Sequence, residues 1–219
     1  MHRVTACLAT ALWVAAAAAP ARAQAPVPGA TIGLKAGINV ANLSIEDAGD
    51  EVDTSARTAF AIGAAIGINA GPVFTFQPEL YYSLKGTTVD DPTADVTVKT
   101  NYIEIPVLAK FRIPTPSNVR PTFFAGPFVA FEASCNVSAE AAGVSVDVSC
   151  DDFGVERKST DIGIVGGAGL EVDVGSVILT FEGRYGMGLT NLADTGFDDD
   201  SIKSRNLQGL VGVAFKLPS

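Results

Sequence analysis

Six charged residues stand inside segments that otherwise alternate between apolar and polar side chains: Glu79, Glu104, Lys110, Arg112, Glu182 and Arg184. Carboxylates and cations mixed in this way can carry protons or ions, or they can pair and fill space. Cys135 and Cys150 lie 15 positions apart and can form one disulfide. Asp198, Asp199 and Asp200 offer oxygen ligands to a hard cation, although their spacing matches no defined calcium loop. Gly163, Gly166, Gly167 and Gly169 superficially suggest a nucleotide loop. Leu170-Glu171-Val172-Asp173-Val174 then continues as a strand where that motif needs a helix, so small residues in a curved sheet are the better reading.

The start of the chain sets the compartment. Arg3, the apolar run from Leu8 to Ala19 and the small residues of Ala21-Arg22-Ala23 read as a secretory leader over residues 1–23. The apolar part is too short for a membrane helix, and Pro20 ends it. His2, Trp13 and Cys7 leave with it, so the mature chain has no histidine and two cysteines. An even pair in an exported protein predicts a disulfide. Removing Arg3 and Arg22 from the 15 basic residues leaves 13 against 24 acidic ones, a net charge of −11. Such a protein suits cation contacts better than nucleic acid.

Strict alternation identifies the elements that carry the six charges. Over 177–190, Val177, Leu179, Phe181, Tyr185 and Met187 share one face; Thr180, Glu182 and Arg184 share the other. Residues 73–86 and 100–113 repeat the pattern, and weaker runs fall at about 31–43, 57–69, 120–133, 160–174 and 204–217. Strands of this length exceed the usual soluble strand of about 5–6 residues and match the roughly 9–11 that a tilted membrane strand needs.

The connections alternate in length. Those at 44–56, 87–99, 134–159 and 191–203 are long; Ala70-Gly71-Pro72, 114–118 and Gly175-Ser176 are tight. Seventeen of the 24 acidic residues fall in the long connections. The other seven, Glu79, Glu104, Glu132, Asp161, Glu171, Asp173 and Glu182, all lie opposite the apolar stripe. A polar inside and an apolar outside is what lipid demands of a barrel.

Three segments carry a family likeness. Gly33-Leu34-Lys35-Ala36-Gly37-Ile38-Asn39-Val40-Ala41-Asn42-Leu43, Gln77-Pro78-Glu79-Leu80-Tyr81-Tyr82-Ser83 and Tyr102-Ile103-Glu104-Ile105-Pro106-Val107-Leu108 resemble strands of the porin-family outer-membrane β-barrel domain. The resemblance implies an eight-stranded barrel in the outer membrane and no single activity.

The expectation is therefore an all-β chain forming an eight-stranded antiparallel up-and-down transmembrane barrel over 24–219, with both termini periplasmic. Its lumen is expected to be narrow, with the six charges paired among Tyr81, Tyr102, Phe124 and Phe128. The expected role is envelope structure, adhesion or surface interaction through acidic extracellular loops; the alternative is a small-solute channel. Outer-membrane lipid and lipopolysaccharide are the expected partners, the latter meeting Lys85, Lys99, Arg157, Lys158, Lys203 and Arg205. Divalent cations at the loops are a further expectation, as is a monomer that binds no nucleic acid. No cofactor and no catalysis are expected: several mechanisms of lipid-modifying enzymes or proteases need a histidine base. A soluble lipocalin-like carrier would instead have an apolar cavity.

Overall fold

The computed structural model describes residues 29–47, 50–52, 55–91, 94–141, 144–153, 158–190 and 201–218. The expected leader and Asp198, Asp199 and Asp200 lie outside these residues.

The described residues form ten strands in order: β1 (Ala30–Asp47), β2 (Asp50–Val52), β3 (Ser55–Ala70), β4 (Phe74–Asp91), β5 (Ala94–Arg112), β6 (Val119–Ala141), β7 (Val144–Ser149), β8 (Thr160–Val174), β9 (Val177–Gly188) and β10 (Ser201–Lys216). Eight of them are staves. Each pairs antiparallel with its neighbour in the order β1-β3-β4-β5-β6-β8-β9-β10, and β10 pairs back onto β1 from Thr31↔Lys216 to Glu46↔Ser201. The sheet closes, and the expected eight-stranded antiparallel barrel is the fold. β2 and β7 are short additions on β1 and β6. No described helix is long and apolar enough to cross a membrane.

The staves outrun the sequence-based boundaries at one end. β4 and β5 stay paired to Asp91↔Ala94, and β6 continues to Ala141 and pairs with β7. Much of 87–99 and 134–159, expected as loop, is thus hairpin. Backbone pairing continues wherever β-competent residues such as Val96, Val98, Val144, Val146 and Val148 follow one another. At the other end the turns are tight. Gly71 and Gly175 occupy them at φ 87° and 71°, a region that penalises other side chains.

The faces invert those of a soluble protein. Phe60, Leu34, Ile62 and Leu207 are more than half exposed, whereas Glu79, Lys110 and Arg184 are buried. So broad an exposed apolar surface marks contact with lipid. Along β10 and the residue that follows it, the outward apolar residues run from Leu217 to Leu207, after which Arg205 and Lys203 begin. Ten steps at about 3.3 Å, tilted about 40°, give a band roughly 25 Å tall, the height of the hydrocarbon.

Val211 lies in the middle of that band. Val211→Arg is expected to destabilise the folded barrel by about 2–4 kcal/mol, while substitutions near the rim cost less. Urea unfolding in lipid vesicles, read by the mobility difference between folded and boiled protein, checks this.

Candidate functional site

The site is the lumen. Inward positions on seven staves supply its charges, because alternation sends every second side chain inside. Arg184 on β9 reaches Glu79 on β4 at 2.5 and 2.9 Å and Glu182 at 2.5 Å. β4 and β9 lie four staves apart in the ring of eight, so this contact spans the full width of the barrel. Lys35 on β1 donates to Glu79 at 2.8 Å and to both oxygens of Glu182 at 2.8 and 2.9 Å. Lys110 on β5 donates to Glu182 at 2.9 Å and to Glu171 on β8 at 3.3 Å. Arg112 donates to Glu171 through Nε at 2.7 Å, and Gln77 donates to Glu79 at 2.6 Å.

Aromatic rings hold the cations in place. The Arg184 guanidinium lies 5.3 Å from the Tyr81 ring centre and 5.1 Å from that of Phe124. Lys110 stands 5.8 Å from Phe124. The rings need room on the facing strand, and glycine provides it. A Cβ at Gly167 would meet the Phe124 ring at 2.7 Å, and one at Gly163 would meet Phe128 at 2.5 Å. Gly163 and Gly167 therefore serve packing within a strand, as their setting before Leu170–Val174 indicates.

Five of the six expected residues, Glu79, Lys110, Arg112, Glu182 and Arg184, join this network. Glu104 does not. It pairs with Lys85 at 2.5 Å, nearer the long-hairpin end. Lys85, expected among the cations that meet lipopolysaccharide, is instead inside, 7% exposed, with the Tyr102 and Phe128 rings 5.1 and 5.8 Å away. The cause is strand length: β4 runs to Asp91, so Lys85 is not at its end. Lys203 and Arg205 do face outward at the edge of the apolar band. Sequence reasoning left Lys35 out of the network, although its alternation with the outward Leu34 and Ala36 marks it as inward.

Two smaller groups flank the network. Ser204 donates to Asp161 toward the hairpin end. At the short-turn end, Asp173 takes Lys216 at 2.6 Å and Arg120 at 3.2 Å. The lumen holds cavities of about 20 and 10 Å³. The larger admits roughly one water molecule. No metal-binding cluster occurs among the described residues. Cys135 on β6 is bonded to Cys150, with Cα atoms 5.4 Å apart, so the bond ties the end of β7 to β6.

The model of the family described as outer membrane protein beta-barrel domain matches residues 22–194. Neisserial surface protein A superposes with a TM-score of 0.52 at 16% identity, covering 86% of this chain and 97% of its own. OprG from Pseudomonas aeruginosa superposes at 0.51 and 9% identity, covering 88% and 98%. No curated protein matches in sequence.

Arg184→Met is expected to cost about 3–5 kcal/mol, because it leaves Glu79 and Glu182 buried with one cation fewer. The double variant Glu79→Leu/Arg184→Met should recover part of that loss, as both partners are gone. Urea midpoints of the two variants and the parent decide it. For the cysteines, labelling of unreduced, unfolded protein should find no free thiol at Cys135 or Cys150. Reduction should cost at most about 3 kcal/mol and leave the barrel folded, since the crosslink lies at the hairpin end.

Proposed function

The chain belongs to the outer membrane protein beta-barrel domain family, and on that premise we propose that it is a closed, non-enzymatic barrel acting through its outer surface. It is a protein of the bacterial outer membrane. The observation that carries the proposal is the contact of Arg184 with Glu79 across the whole lumen. Side chains of opposite staves that touch support a lumen filled by its own side chains at that level. Eight staves enclose only enough space for their own side chains, whereas open channels need about 16–18.

The hairpin lengths support an orientation. Long connections of such barrels face outward and short turns face the periplasm, which puts both termini in the periplasm. The extended β4–β5 and β6–β7 hairpins then stand above the membrane and bear Asp90, Asp91, Asp95, Glu140 and Asp147. These acidic hairpins are where the protein meets its surroundings, in an envelope-structural or adhesive role. Lys203 and Arg205, at headgroup height, meet the phosphates of lipopolysaccharide. Divalent cations bridge the acidic hairpins to neighbouring anionic groups. The barrel works as a monomer.

Single-channel recording on purified protein tests the closed lumen. At most small, rare openings are expected. A steady conductance like that of a general porin would overturn the proposal in favour of a small-solute channel.

A further inference from the structure

The larger cavity has an unbalanced charge around it. The connected central network contains four buried cations, Lys35, Lys110, Arg112 and Arg184, and three buried carboxylates, Glu79, Glu171 and Glu182. Lys85 and Glu104 form a separate ion pair beside the other cavity. Among the described residues this network therefore holds one more cation than carboxylate. An unmatched charge in a low-dielectric interior is costly and draws a counterion.

The cavity collects spare donors rather than spare acceptors. Lys110, Arg112 and Thr180 line it, and Lys110 donates to only two carboxylate oxygens among the described residues, whereas the three donors of the neighbouring Lys35 are all used. Of the Arg112 guanidinium only Nε makes a hydrogen bond among the described residues, leaving the donors of both terminal nitrogens. The Thr180 hydroxyl is buried, with the residue 4% exposed, and has no hydrogen-bond partner among the described residues. Glu171 also lines the cavity, but its two oxygens are taken by Lys110 and Arg112. The volume of about 20 Å³ suits a single occupant the size of a water molecule. A halide is of that order of size; a phosphate or carboxylate is larger.

We propose that this cavity is a binding site for one small monovalent anion, chloride in ordinary salt, held by Arg112, Lys110 and the Thr180 hydroxyl. The site runs against the sign of the protein, whose net charge is −9 over the full sequence. It requires neither a closed nor a conducting lumen, so it stands independently of the reading above.

The test uses the refolded protein in detergent. Unfolding temperature is measured in sodium chloride, bromide, fluoride and gluconate at equal ionic strength. Chloride and bromide should raise it by a few degrees along a saturating curve, and gluconate, too large to enter, should not. Thr180→Val removes one donor without touching an ion pair, so it should fold and show a right-shifted curve. Arg112→Gln should abolish the dependence. Crystals grown in bromide should show an anomalous peak in the cavity. Equal unfolding temperatures in all four salts would overturn the proposal. So would a salt effect unchanged in Thr180→Val, or a bromide-free cavity holding only water.

Discussion

Lipid offers no hydrogen bond to a peptide group, and the whole molecule is arranged around that fact. A sheet crossing the hydrocarbon can leave no edge unpaired. The register of β10 on β1, unbroken from Thr31↔Lys216 to Glu46↔Ser201, is what removes the last edge. Closure at eight staves then fixes the diameter, and the diameter fixes the lumen. Inward side chains are no longer free to be merely polar. They must also fit one another across a gap that the side chains of Glu79 and Arg184 are long enough to span.

Within that gap, charge and shape are solved together. Three carboxylates and four cations meet here because long side chains from five staves converge on one level. Glu182 receives Lys35, Lys110 and Arg184 from three directions. The rings of Tyr81 and Phe124 flank Arg184, excluding water and supplying attraction through their π faces. The Phe124 ring fits because Gly167 lies beside it on the neighbouring strand, and the Tyr81 ring because Gly63 does. The glycine content, the aromatic residues and the buried charges are thus one design. Replacing any of the three kinds would disturb the other two.

The stave pattern was legible because period-two alternation is imposed residue by residue: Phe181 out, Glu182 in, Gly183 out, Arg184 in. Contact across the lumen was not. Whether Glu79 meets Arg184 or Lys110 depends on strand tilt and stagger, which no local pattern encodes. Lys35 was missed for a related reason. Its stave is rich in small residues, Gly33, Ala36 and Gly37, so its stripe is faint, yet its long side chain is what joins Glu79 to Glu182. Lys85 was misplaced because the sequence signal weakens at Gly86-Thr87-Thr88, whereas the strand persists to Asp91. Position along a strand, unlike facing, depends on knowing where the strand ends.

That persistence also separates the two halves of the molecule by the forces that hold them. Inside the band, outward positions must be apolar and inward ones must match partners on other staves. Beyond it, β4–β5 and β6–β7 are held by backbone hydrogen bonds, with the Cys135–Cys150 bond securing β7 to β6. Backbone pairing is indifferent to most side chains, so the hairpins can carry acids such as Asp90, Asp91, Asp95 and Glu140 without altering the lumen. A crosslinked extension whose side chains are little constrained thus stands on a base whose side chains are tightly constrained.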